Sequence, residues 1–191
     1  DFYGPIPIPT LEDLKNPLDE VIEPRATQEE MTNFIETELT ESLKGLPTRT
    51  TQFGRFDKGL AYTILMKYYM HEKNWAKAEE CGRELLKAEY GYGLMDRYAD
   101  IFTLENEGNK EIIFACTEER GTNLQLWHDH ALPGNYPTKN ASIQKWDGYK
   151  VPWPFYRTFE EGDDRLSVLV GEYVGTDGVL FNEESDIAKH G

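Results

Sequence analysis

Three stretches of the chain carry a helical spacing of apolar positions, and capping residues mark the edges of the first. Over residues 27–44, Met31, Ile35, Leu39 and Leu43 form one stripe. Thr27 and Glu30 stand as the two halves of a capping box, and Gly45 and Pro47 stop the helix. Over residues 58–71, Tyr62, Leu65 and Tyr69 share one face. After a polar break, Trp75, Ala78, Leu85 and Leu86 give the apolar face of a helix over 75–89. Gly91 and Gly93 then turn the chain, and a short helix near 95–102 carries Tyr98, Ile101 and Phe102.

Elsewhere the pattern is not helical. Residues 1–24 are interrupted by Pro5, Pro7, Pro9, Pro17 and Pro24, which predicts an extended, packed-on segment. Residues 111–117 are apolar on both faces, the pattern of a buried strand. Residues 118–154 lose all periodicity, with Gly, Pro, Asn and Asp interleaved among aromatics. Irregular stretches of that length are uncommon unless they serve a function or pack against something else. Residues 166–174 and 179–181 predict a short strand pair joined across Gly175 and Gly178, and residues 182–191 predict a frayed tail.

The helix pair at 58–90 matches one tetratricopeptide-type repeat, whose period is about 34 residues: small Ala78 lets the second helix lie close to the first, and Tyr69 fills the groove beside it. There is one copy, so a tandem array is not predicted. The predicted fold is mainly α, with tetratricopeptide-like hairpins, irregular loops and a little β. The predicted layout is a single domain over 1–191, with a helical scaffold at 27–102 and an aromatic-rich loop region at 118–154.

Five strings in order strengthen this. They are the hairpin, then Gly91-Tyr92-Gly93-Leu94 running to Tyr98 and Phe102, and Asn109-Lys110-Glu111-Ile112-Ile113-Phe114, flanked by Tyr3-Gly4-Pro5-Ile6-Pro7 and by Phe159 to Asp163-Asp164-Arg165. Together they resemble the SusD/RagB family. The resemblance implies a non-catalytic outer-membrane lipoprotein that binds a glycan or related nutrient at the bacterial surface. It also implies a partner, a SusC-like TonB-dependent transporter, and no cofactor. In that family the N-terminal Cys carries the lipid. This chain begins at Asp1, so an internal piece of a longer protein is expected, touching the membrane only through an anchor outside these residues. The rival reading is a tetratricopeptide-type protein-interaction module that binds no glycan.

Charge narrows the partners. The chain has 35 acidic and 20 basic residues, net −15, which argues against nucleic acid and anionic lipid. No apolar run approaches the roughly 20 residues of a membrane span. Cys81 and Cys116 are too few for a disulfide framework and read as small buried apolar residues, in a helix and a strand respectively.

The candidate ligand contacts are Trp127, Tyr136, Trp146, Tyr149 and Trp153. A sugar ring offers an apolar C–H face to an aromatic ring, and Asn123, Gln125, Asn135, Asn140 and Gln144 could serve its hydroxyls. The same rings could equally be core contacts. His128 and His130 form an H-x-H pair with no third metal ligand indicated, so no metal is expected. The acid pairs Glu118–Glu119, Glu160–Glu161 and Asp163–Asp164 could in principle supply a glycosidase, but such pairs arise by chance among so many acids. Asp164–Arg165 reads instead as an ion pair or cap. No nucleophile elbow or phosphate loop is present.

Overall fold

The computed structural model describes residues 3–15, 18, 23–118, 126–139 and 143–190, with His128 and His190 described through their backbone alone. The chain is mainly helical. It divides into two units, residues 1–93 with 112–115, and residues 94–111 with 116–191.

The first unit is a three-helix layer. α1 spans Gln28–Gly45, α2 Lys58–His71 and α3 Trp75–Leu85. Each begins at a side-chain cap. Thr27 Oγ1 accepts from Glu30 N–H and Glu30 Oε2 accepts from Thr27 N–H, so both halves of the capping box form. Asp57 caps α2 through Leu60 N–H at 3.0 Å, and its other oxygen accepts from Thr50 N–H at 3.2 Å. Those bonds offset the cost of burying the Asp57 carboxylate, which is 2% exposed. Asn74 caps α3. Leu65, Tyr69, Ala78 and Cys81 form the core between α2 and α3, with Leu39 and Leu43 of α1 packed against it. Polar contacts tie α1 to the pair: the Tyr68 hydroxyl donates to Thr32 Oγ1 at 2.8 Å, and Lys77 Nζ to Glu36 Oε2 at 2.8 Å. The Glu36 carboxylate raises the Lys77 pKa, and burial raises that of the Cys81 thiol.

Beyond α3, a 3-10 turn at Ala88–Tyr90 buries Tyr90, and Gly91 follows at φ 66°. The Tyr92 ring stacks on Tyr90 with centroids 6.0 Å apart, beneath the Arg49 guanidinium. Its hydroxyl reaches the backbone of Gly59, where only a residue without a Cβ leaves room. At the N-terminal end, Arg25 Nη1 donates to the carbonyls of Tyr3 and Pro5 and holds the Pro-rich segment in place.

The predicted strand over 111–117 does not form. These residues are irregular and have no ladder partner among the described residues. An apolar run becomes a strand only when a second strand is available, and here Phe114 packs on Phe56 with centroids 5.7 Å apart instead. Cys116 is accordingly exposed rather than buried, while Cys81 lies in the core as expected.

The second unit is built from short pieces. The predicted 95–102 helix is a 3-10 helix at Tyr98–Phe102. α4 spans Trp127–Ala131 and α5 Trp153–Tyr156. β1 (Tyr173–Val174) pairs antiparallel with β2 (Leu180–Phe181), Tyr173 opposite Phe181. The turn between them uses Gly178 at φ 79° and an Asp177 carboxylate that accepts from Val179 N–H. Only the end of the predicted 166–174 strand is strand. Residues Asp164–Val168 form a 3-10 helix because Asp163 caps it through Arg165 N–H. The predicted frayed tail is instead helix α6, Glu183–His190. Asn182 and Ser185 cap it reciprocally, each side chain accepting from the other's N–H at 3.0 and 2.9 Å.

Among the described residues, all the buried apolar side chains lie in the first unit. Among the described residues of the second unit, only Asp129 and Gly175 are buried. Rings and hydrogen bonds hold this unit together instead. No helix among the described residues is long and apolar enough to cross a membrane.

Candidate functional site

The five candidate aromatics all lie in the second unit, and the structure sorts them into two groups. The first is built on a return of the chain over α4. Trp146 N–H donates to the Asp129 carbonyl at 2.7 Å, and Asp147 N–H to the Leu132 carbonyl at 3.0 Å. The N–H groups of Gly148 and Tyr149 both donate to the His130 carbonyl, at 2.7 and 2.9 Å. Asp147 turns the segment at φ 54°, a left-handed conformation that Asp tolerates better than most residues. These bonds lay residues 146–149 along α4. Trp127 and Tyr149 consequently stack with centroids 5.0 Å apart and planes 20° from parallel. The His130 ring meets Trp146 edge-on at 4.6 Å and lies 5.2 Å from Tyr149. Trp127 keeps 65% of its surface exposed, Tyr149 53% and Trp146 46%. Large rings held in a fixed geometry yet left half in water form a platform that can accept an apolar face.

The second group is packed. Trp153 is half-buried and lies 6.3 Å from Phe181 and 5.6 Å from Tyr156, and its Nε1–H donates to Asp186 Oδ2 at 2.7 Å. Tyr136 meets Tyr173 at 5.0 Å, and Tyr173 stacks on Phe181 at 4.9 Å. Burial raises the Tyr173 pKa, and the charges of Asp147 and Asp177 raise it further. Asn135 pins this cluster to the hairpin. Its Oδ1 accepts from the Tyr173 hydroxyl at 2.8 Å and its carbonyl accepts from Thr176 N–H at 2.8 Å. Tyr136 thus packs on the hairpin, and Trp153 on the hairpin, α5 and α6.

Of the polar residues expected near a ligand, Asn135 is engaged in that pin and Gln144 is exposed. Asn123, Gln125 and Asn140 lie outside the described residues, as do Glu119 and the His128 side chain. His130 was legible only as half of an H-x-H pair, and its role between two aromatic rings had no sequence signal. Among the described residues, no group of three His, Cys, Asp or Glu side chains is placed to hold a metal.

The acidic segment after α5 is tied down. Asp163 pairs with Arg165, whose Nη2 is 2.5 Å from Oδ2, and this contact lowers the Asp163 pKa to about 2. Asp164 Oδ2 accepts from Tyr98 N–H at 2.8 Å. The expectation named Asp164 with Arg165; in the structure Asp163 is both the charge partner of Arg165 and the cap of the 3-10 helix, while Asp164 accepts from Tyr98 N–H. A carboxyl that titrates near 2 stays ionised at neutral pH and cannot serve as a general acid there.

Protein-family models and curated proteins gave no match to this chain. Solved structures did. A SusD-like protein from Bacteroides fragilis aligns over 65% of this chain and 24% of its own, at 25% identity and a TM-score of 0.53. The chain has a SusD-like helical fold. A SusD superfamily protein from Bacteroides vulgatus aligns over 65% of this chain and 25% of its own, at 26% identity and a TM-score of 0.49. This SusD-like chain thus spans about a quarter of the length of these structures.

Proposed function

We propose that this chain belongs to a SusD-like nutrient-binding protein of the bacterial outer surface, and that it contributes to capturing a glycan without chemistry. The observation that carries the reading is the exposed Trp127–Tyr149 stack with Trp146 beside it. A pyranose ring would lie against these rings, burying its C–H face, while polar groups around the loop take its hydroxyls. Tyr136 and Trp153 would hold the loop in place. The fold supports the same reading, as does the commitment of Asp163 and Asp164 to structural contacts. A SusC-like TonB-dependent transporter is the proposed partner, and a lipid anchor elsewhere in the parent protein is the proposed membrane attachment.

The test is titration of the protein with a panel of polysaccharides, followed by tryptophan fluorescence and calorimetry, with Trp127→Ala, Trp146→Ala and Trp153→Phe compared. Saturable binding lost in Trp127→Ala but kept in Trp153→Phe supports the platform. Absence of binding to every glycan, with a partner protein captured instead, favours the interaction-module reading. The exposed Ile64, Met70 and Trp75 on α2 and α3 would suit that reading.

A further inference from the structure

The charge of this chain is not spread evenly. Residues 120–159 hold five of its 20 Lys and Arg but only two of its 35 Asp and Glu. That forty-residue segment is net +3 in a chain whose total is −15, so the rest of the molecule carries −18. The segment contains the aromatic platform, and the acid pairs Glu118–Glu119 and Glu160–Glu161 stand at its two edges. One of its two acids, Asp129, is buried, and the other, Asp147, is paired with Lys150 at 3.0 Å. Lysines flank the rings directly: Lys145 precedes Trp146, and Lys150 follows Tyr149. The backbone bonds that lay residues 146–149 along α4 leave Lys145 and Lys150 at the two ends of that stretch, next in the chain to Trp146 and to the Tyr149 of the stack. The Lys150 side chain stays 58% exposed in its pair with Asp147, so a ligand's anionic group would compete with that carboxylate for it across a solvent-screened contact.

Resting on the glycan-binding reading above, we infer that the platform takes an acidic saccharide, one bearing carboxylate or sulfate groups, with Lys145 and Lys150 as the cations that meet those groups. A uronate or sulfated sugar keeps the apolar ring face that the aromatics need and adds charge at its edge, where a long lysine side chain reaches. The strongly acidic remainder does not forbid this. At physiological ionic strength the screening length is about 8 Å, so charges at the rim outweigh acids farther away. The same screening makes the preference dependent on salt.

The test uses matched pairs of probes: polygalacturonate against its methyl ester, and chondroitin sulfate against desulfated, carboxyl-methylated chondroitin. Calorimetry and tryptophan fluorescence are run on the full chain at low and high salt. The expected result is that an acidic polymer binds roughly tenfold more tightly than its uncharged counterpart, a ratio that two exposed charge contacts can supply. The advantage shrinks at high salt and disappears in Lys145→Gln/Lys150→Gln. It persists in Lys145→Arg/Lys150→Arg, which separates loss of charge from loss of fold. Uncharged polymers binding as well as acidic ones would overturn the inference and leave the glycan-binding reading standing. An acid preference indifferent to the lysine substitutions would also overturn it. Absence of binding to all four polymers, with the fold intact by circular dichroism, would sink the inference, and the glycan-binding reading with it if the wider polysaccharide panel also fails.

Discussion

Replacing Gly59 with Ala sets two effects of opposite sign against each other. Gly59 lies in the first turn of α2 with ordinary helical backbone, so alanine brings no strain and gains up to about 1 kcal/mol of helix propensity. The new Cβ, however, would stand 2.0 Å from the Tyr92 hydroxyl oxygen and 2.9 Å from Cζ, against ordinary contact distances of 3.4 Å and more. Tyr92 cannot simply swing away, because it is stacked on buried Tyr90 and lies under Arg49. Overpacking of this kind costs about 1–3 kcal/mol, so the clash wins and Gly59→Ala is expected to destabilise by about 1–2 kcal/mol. With Tyr92→Ala the main obstacle is gone and only Asp57 Oδ1, 3.1 Å from the new Cβ, still crowds it, so the same substitution should then be close to neutral. The expected coupling energy is about 2 kcal/mol. Urea unfolding followed by far-ultraviolet circular dichroism measures all four proteins, with equal slopes required for comparison. Equal effects of Gly59→Ala in both backgrounds would show that Tyr92 does not occupy that space and would refute the reasoning.

Further outcomes follow from the same structure. Leu65→Ala empties the α2–α3 core and should cost about 2–5 kcal/mol in the same unfolding assay. Trp153→Phe removes the indole donor to Asp186, with an expected loss of about 1–2 kcal/mol and earlier melting of the second unit by near-ultraviolet circular dichroism. Asp163 titrates at about 2 when folded, against 3.8 ordinarily. Its contribution to stability is therefore complete above pH 3.8 and is lost as pH falls toward 2. Thermal unfolding across that range should show a smaller acid dependence in Asp163→Asn than in the parent.

The helices were legible because their signals are local. Thr27 with Glu30 fixes the start of α1, and the apolar spacing of Leu65, Tyr69 and Ala78 names the core directly, whereas the equally local caps Asp57 and Asn74 emerged only from the structure. The strand expected at 111–117 failed because strand formation depends on a distant partner that a single run of sequence does not reveal. Asn182 and Ser185, by contrast, are a local cap that the reading of a frayed tail passed over. The aromatic richness of 118–154 was plain, but which rings meet was not. Trp127 finds Tyr149, and Tyr136 finds Tyr173, through backbone bonds and turns that no periodicity encodes. Cys116 shows the same dependence, since its expected burial rested on the strand that does not form.

The uneven distribution of buried apolar groups has a consequence for how occupancy would be felt. α2 and α3 own a dry interior, whereas the described residues of the second unit are held by ring contacts and hydrogen bonds that water can compete for. A molecule that settles on the Trp127–Tyr149 stack adds its free energy to the less secure half. By mass action that half becomes harder to open in proportion to the logarithm of ligand concentration. Amide exchange there would slow on binding while exchange in α2 and α3 stayed level, so recognition and local folding in this region would be one equilibrium.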